Sequence, residues 1–284
     1  MRFLLGFVVA ALVVGCGPTG PARLFTVKWR KGDMLLCTGK MTQNASIKGE
    51  NGKKANMNSD MEFCFEGKVL DVDKDGVATL ECRFTKCTMN MTTPKGVQKI
   101  DLLKELRKSS PRLVKNERNK LLAEMMRGPF KMRVDKFFAA KIKGKGDFWQ
   151  TFGGGQMGQA AFPPKPMRVG ESFTRKFDFD IGRMMGGEGA FNMTVAVTLE
   201  AATDKTASWS LALKRFKMNF HAKGMKMRCK VPVYSGRMHW DARERLLKNS
   251  TQMTMVMTMN MMDTQIETTS VMDANITCKI TPAK

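Results

Sequence analysis

Methionines alternate along one stretch near the C-terminus, and their thioethers carry the most distinctive chemistry in this sequence. Within residues 253–261, every second position is methionine: Met253, Met255, Met257, Met259 and Met261. Successive side chains of a strand point to opposite faces, so these five share one face of a predicted strand. Thioethers bind soft metals such as Cu(I), and they also form deformable apolar surfaces. The pattern leaves three hypotheses, a packed core, a groove for acyl chains and a copper site, and we favour the core because the chain has 26 Met in many kinds of segment.

Cys16 follows a short apolar segment at the N-terminus. Arg2 precedes an apolar run at residues 3–14, which is typical of a secretory signal and too short to cross a bilayer. The residues Val13-Val14-Gly15-Cys16 resemble the lipobox of bacterial lipoproteins, in which the cysteine thiol is alkylated by diacylglycerol and the chain is cut before it. We therefore predict a signal peptide at 1–15, lipidation of Cys16 and a flexible tether at 16–23.

Lipidation at Cys16 implies where the protein is located. It predicts an exported protein of the cell envelope that is attached to the membrane through its lipid anchor. Gly17, rather than aspartate, follows the cysteine. In a Gram-negative organism the resemblance to lipoproteins therefore implies the outer membrane.

The remaining cysteines and the histidines give little sign of catalysis. Six cysteines remain, which permits disulfides in an exported protein but leaves 15 connectivities open: Cys37, Cys64, Cys82, Cys87, Cys229 and Cys278. Their spacing does not match a zinc ribbon or a redox motif. His239 and Asp241 are the only imidazole and carboxylate close together in sequence, and a structural role suits them best. We predict no enzymatic activity, no cofactor and no metal ligand set of His and Cys.

The chain is strongly basic, with a net charge of +22. Residues 95–145 contain 16 Lys or Arg and five Asp or Glu, so about half of the excess lies there. Such a surface could attract anionic envelope lipids or polymers. Nucleic acid is not expected as a partner, because an exported chain meets little of it and the segment lacks interleaved aromatic residues.

Two long hairpins with matching residues indicate an internal duplication. The first spans 61–91 around a turn at 73–76, and the second spans 190–220 around a turn at 203–205. Aligning Leu80 with Trp209 matches the strands after the turns, and before the turns the sequence favours aligning Val69 with Val197. Two shorter matches accompany them, 29–33 with 167–171 and 132–135 with 238–241.

These features predict a mainly β fold, all-β or α+β, with long antiparallel strands from two duplicated halves. The first repeat covers 24–146 and includes one basic amphipathic helical segment at 100–127, whereas the second repeat covers 167–284. A Gly- and Pro-rich linker at 147–166 joins them. A half-barrel is compatible with this plan.

Together, the lipobox, the Trp29-x-x-Gly32-Asp33 segment, the turn at 73–76, the basic helix and the 163–171 segment resemble an uncharacterised family of bacterial β-rich lipoproteins, a domain of unknown function. The resemblance spans roughly residues 24–262 and implies no catalytic residues. In architecture alone, the chain is also similar to periplasmic lipoprotein carriers, whose strands curve around a helix and an apolar cavity. The expected protein is a membrane-anchored, noncatalytic lipoprotein that is structural in the envelope or binds hydrophobic or anionic envelope ligands. Copper binding through the Met-rich strands is the alternative, and the oligomeric state is not predicted.

Overall fold

A computed structural model describes residues 18–49, 52, 54–93, 96–108, 124–142, 161–180, 188–222, 225–261 and 264–283. The described residues form fourteen strands and one short helix: β1 Thr19–Arg23, β2 Met34–Lys48, β3 Lys54–Val72, β4 Ala78–Thr93, β5 Gly96–Asp101, α1 Leu102–Lys108, β6 Phe130–Val134, β7 Ala140–Ile142, β8 Met167–Val169, β9 Ser172–Asp180, β10 Glu188–Ala202, β11 Thr206–Ala222, β12 Met225–Asp241, β13 Leu246–Met261 and β14 Thr264–Thr281. A further helical turn spans 124–127. Cys16 and the predicted signal peptide lie outside the described residues.

One large antiparallel sheet contains every strand except β1 and β8, which pair with each other. Its order is β7-β6-β4-β3-β2-β14-β13-β12-β11-β10-β9, and β5 pairs with β4. The last strand, β14, lies in the middle, between β13 of the second repeat and β2 of the first. The predicted mainly β, antiparallel fold is confirmed, and within the described residues the sheet is open, with β7 and β9 at its edges.

Alternating side chains place the core on one face of the sheet, here called the inner face. In β2, Leu35 and Cys37 are buried, whereas Met34 and Leu36 between them are exposed. Long strands with this pattern bury one face and leave the other in water, as antiparallel sheets commonly do.

Aromatic side chains from outside the large sheet cover part of its inner face. Phe25 precedes β2, and its ring centroid lies 5.1 Å from that of Trp209. Phe162 precedes β8, and its ring lies 5.7 Å from Trp209 and 5.3 Å from Trp240. The core is therefore completed by segments that form no part of the large sheet.

The registers of the two long hairpins match. Val69 pairs with Leu80 in β3 and β4, as Leu199 pairs with Trp209 in β10 and β11. Each hairpin has two register shifts at equivalent places: between Cys64 and Phe65 and between Val69 and Asp71 in β3, and between Thr194 and Val195 and between Leu199 and Ala201 in β10. Because bulges interrupt a ladder at specific positions, their coincidence supports the predicted duplication.

The register corrects the alignment before the turns. Val69 is equivalent to Leu199, not to Val197. Val69 and Leu199 each stand immediately before the bulge that precedes the turn. A two-residue slip keeps every side chain on its original face, so alternation alone could not distinguish the two alignments.

Equivalent turns lead into the two repeats. The Gly32 N–H donates to the Val69 carbonyl at 2.9 Å, as the Gly170 N–H donates to the Leu199 carbonyl at 2.7 Å. Both glycines have positive φ, 85° and 90°, a conformation that costs glycine little. The acid that follows each glycine caps its turn: the carboxylates of Asp33 and Glu171 accept from the N–H of Arg30 and Arg168.

Three sequence boundaries require correction. The helical segment predicted at 100–127 begins at Leu102, because residues 96–101 continue the sheet as β5, and its middle at 109–123 lies outside the described residues. In the predicted linker, residues 161–166 form no helix or strand, yet Phe162 is fully buried. In the predicted tether, Thr19–Arg23 forms β1 and is fixed by pairing with β8.

Candidate functional site

The burial and the residue types of the inner face change along the long strands. Near the turns its residues are fully buried, such as Leu35, Leu80 and Trp209. Towards the opposite strand ends, the same face carries methionines, which we call the methionine face: Met41, Met57, Met61, Met89, Met91, Met227, Met253, Met255, Met257, Met259 and Met272. Direct cross-strand partners share a face, and the registers from β4 through β12 link these residues to the core positions.

Every member of the methionine face except Met227 is half-buried. Met227 is 6% exposed. On β13 the change is direct, since Leu247 is 6% exposed and Met253 to Met259 are all intermediate. These thioethers therefore neither fill a closed core completely nor stand free in water. The other face of β13 is half-buried as well, at Thr254, Val256 and Thr258, so the row of thioethers, and not the degree of burial, distinguishes the methionine face.

Small residues form the centre of the methionine face. Ser270 of β14 pairs with Ala45 of β2, and both are buried. Met255 lies opposite Ser270 on one side, and Met57 lies opposite Ala45 on the other. The Gln43 amide donates to Ser270 Oγ at 2.9 Å. Methionines thus lie on both sides of a centre formed by short side chains. Because methionine side chains are flexible, they can change conformation to contact an apolar ligand.

One cysteine lies among these thioethers. Cys229 of β12 is directly opposite Met257, and Met227 is directly opposite Met259. Directly opposed side chains have Cβ atoms about 5 Å apart, which is close enough for two sulfur atoms to approach one soft metal ion. Burial raises the pKa of the Cys229 thiol to about 11, so the protonated thiol predominates at neutral pH.

Arg175 of β9 is the one buried arginine among the described residues, and it is 4% exposed. One of its terminal nitrogens donates to the Ala161 carbonyl, and its guanidinium carbon lies 5.2 Å from the centre of the Phe173 ring. Its Nε has no hydrogen-bond partner within the described part of the chain. The side chain lines an interior cavity of about 20 Å³ together with Asn249, Met238, Leu247, Ile276 and Cys278.

Burial governs the titration of this interior group. It lowers the pKa of Arg175 to about 10, which still leaves the guanidinium charged at neutral pH. Burial also raises the pKa of the Tyr234 hydroxyl, and the two side chains interact electrostatically. Tyr234 therefore remains neutral and able to donate a hydrogen bond. The interior thus combines a cation at Arg175 with a neutral hydroxyl at Tyr234.

A disulfide borders the same cavity. Cys37 of β2 bonds to Cys278 of β14, and their Cα atoms are 4.1 Å apart. The sequence could not choose among the connectivities, and the structure selects this bridge. Cys64, Cys82, Cys87 and Cys229 are free.

The other candidates from the sequence have structural partners. His239 Nδ1 lies 2.9 Å from Ser208 Oγ. The Asp241 carboxylate accepts from the N–H groups of Arg243 and Glu244, which organises the turn before β13. Within the described ranges, no group of three or more His, Cys, Asp or Glu could hold a metal ion.

The basic segment is only partly described. Its described lysines are exposed: Lys99, Lys104, Lys131, Lys136 and Lys141. Arg133 pairs with Asp73 at 2.5 Å. Much of the predicted basic helix lies at 109–123, outside the described residues, and no helix in the described part is long and apolar enough to cross a membrane.

Neither Arg175 nor the closing role of Phe162 was among the residues predicted from the sequence. In Ser172–Asp180, phenylalanines at 173, 177 and 179 alternate with polar residues, and Arg175 occupies the same phase as these aromatics. A basic residue at a position where the alternation predicts an apolar side chain was therefore the feature of the sequence that could have identified Arg175.

No family model and no curated protein matches the sequence. Among solved structures, an outer membrane channel from Pseudomonas putida F1 aligns with 93% of this chain and 100% of its own, at 7% sequence identity and a TM-score of 0.20. A TM-score at that level does not establish a common fold, so no functional conclusion follows from it.

Proposed function

We propose that this protein is a noncatalytic, lipid-anchored protein of the cell envelope that binds acyl chains on its methionine face. The observation that carries the proposal is the alignment of eleven methionines on one face of adjacent strands, between fully buried rows and the strand ends. Contiguous apolar side chains that keep partial access to solvent often mark a ligand or partner site.

The residue types on this face favour a flexible apolar ligand. Methionine is unbranched and polarisable, so a row of methionines adapts to chains of different shape. Ser270 and Ala45 at the centre have short side chains. The longer methionine side chains on either side would therefore make most of the contacts with a ligand. An acyl chain lying along β13 would contact Met253 through Met259, which span about 20 Å at roughly 3.3 Å per residue.

The N-terminal sequence supports the proposed location. The lipobox-like residues before Cys16 support export and a covalent lipid anchor, and the resemblance to β-rich lipoproteins supports a noncatalytic role. The exposed lysines near β5 to β7 are suited to anionic lipids or polymers at the same membrane surface.

Native mass spectrometry tests this proposal. The full chain carrying Cys16→Ser, which lacks the covalent lipid, is purified from a bacterial host and then incubated with palmitate. We expect a noncovalent adduct of one palmitate. A folded protein that shows only its own mass at saturating palmitate would contradict the proposal.

Matched variants of β13 locate the adduct. Met255→Asp introduces a charge on the methionine face and is expected to abolish the adduct, whereas Met255→Leu retains it because volume and apolarity are nearly unchanged. Thr258→Asp places the same charge on the opposite face of the strand and serves as the control. Equal loss with both aspartates would indicate damage to the strand instead of loss of a binding surface.

Copper binding is the second candidate, and the position of Cys229 opposite Met257 favours it. Thiolate and thioether are the ligands that Cu(I) prefers. The raised pKa of Cys229 weighs against a preformed site, because binding must first remove the thiol proton. A stoichiometric copper adduct that persists against a chelator and disappears in Cys229→Ser would select this alternative.

A further inference from the structure

Among the described residues, no carboxylate compensates the charge of Arg175. The side chain is 4% exposed, and no Asp or Glu of the described residues forms a salt bridge with it. Its guanidinium donates to one carbonyl and contacts one ring, while Nε lacks a partner within the described residues. Burying a cation without an anion is costly, so a bound anion would stabilise this arrangement.

The cavity beside Arg175 has room for a small polar group. Its volume of about 20 Å³ is enough for one water-sized group. A water molecule could accept from Nε, but it would leave the positive charge uncompensated. A carboxylate oxygen supplies both an acceptor and the missing negative charge, and arginine is well suited to carboxylates.

The fold itself does not require an arginine at this place. The register of β2 with β3 matches that of β9 with β10, which makes Cys37 the equivalent of Arg175. The first repeat therefore places a buried disulfide sulfur where the second places a cation. Because an apolar group satisfies the same position, the charge of Arg175 has a role beyond packing.

We propose that the acyl ligand is a fatty acid whose carboxylate binds Arg175 and whose chain extends onto the methionine face. This inference rests on the proposed function and specifies its ligand. Asn249 lines the cavity, and Met253 lies four residues further along β13 on the same face, about 13 Å away. A palmitate chain anchored at Arg175 therefore reaches the near end of the methionine row, Met253 and Met255. The small cavity admits a carboxylate more readily than a phospholipid head group.

Equilibrium binding of radiolabelled palmitate and methyl palmitate tests the inference on the full chain carrying Cys16→Ser. The two probes have the same acyl chain, but only palmitate is charged. We expect palmitate to bind at least about tenfold more tightly, as is typical of a hydrogen bond to a charged group. Arg175→Met is expected to remove this preference while methyl palmitate binds within about twofold of the parent.

Arg237→Met is the control, because Arg237 is exposed on β12 and its loss is expected to leave the preference unchanged. Equal binding of acid and ester by the parent protein would overturn the inference and leave the proposed function standing. If neither probe binds, the proposed function itself fails. The parent comparison needs no variant, so the inference stays falsifiable even if Arg175→Met does not fold. An alkyl phosphate of the same chain length that outcompetes palmitate would also overturn the choice of a carboxylate.

Discussion

Breaking the Cys37–Cys278 disulfide is expected to destabilise the whole sheet. The bridge joins β2 to β14, where the first repeat meets the last strand of the chain, and it links residues 241 positions apart. Loop-closure entropy for a loop of that length corresponds to about 5.5 kcal/mol. Measured disulfides usually contribute less than this entropy, so we expect a loss of about 3 to 5 kcal/mol in the free energy of unfolding.

Urea unfolding measures this loss. The double variant Cys37→Ser, Cys278→Ser is compared with the parent at equal protein concentration, with Cys64→Ser as a control because Cys64 is free and only half-buried. With an m-value of about 3 kcal/mol/M, the midpoint is expected to fall by about 1 M or more. An unchanged midpoint in the double variant, or an equal fall in Cys64→Ser, would refute the bridge as the covalent link between β2 and β14.

Three further outcomes are expected. Arg245→Met leaves the buried Asp33 carboxylate without the cation 2.6 Å away, so urea unfolding is expected to show a loss of about 3 to 5 kcal/mol; an unchanged midpoint would show that the pair does not matter. Met255→Leu and Met257→Leu are each expected to cost less than about 1.5 kcal/mol, and a larger loss would mean that specific thioether contacts hold the strand. Radiolabelled palmitate is expected to enter the protein in a bacterial host but not after Cys16→Ser, and labelling that survives the substitution would exclude Cys16 as the lipidation site.

Local patterns explain which parts of the fold the sequence predicted. Alternation identified the strands, and turn residues such as Asp73 and Gly76 marked the first hairpin. Asp73 Oδ1 accepts from the N–H groups of Asp75 and Val77, and Gly76 has a φ of 77°. These interactions lie within a few residues, so the sequence of the turn largely determines them.

Long-range placement explains what the sequence missed. The central position of β14 depends on pairing with β2, more than 200 residues earlier, and alternation does not specify the partner of a strand. The burial of Phe162 depends on Trp209 and Trp240 from two other strands. In the candidate site, the methionine row was evident from the sequence, but its half-burial and the cavity at Arg175 arise only when distant strands come together.

Methionine methyl resonances test the central claim, acyl binding on the methionine face, most directly. The full chain carrying Cys16→Ser is labelled with ¹³C at the methionine methyl groups and titrated with palmitate. We predict that the signals of Met253 and Met255, which a chain anchored at Arg175 can reach, shift, while those of the fully buried Met132 and Met167 do not. Shifts confined to other methionines, or no shifts at saturating palmitate, would contradict the account.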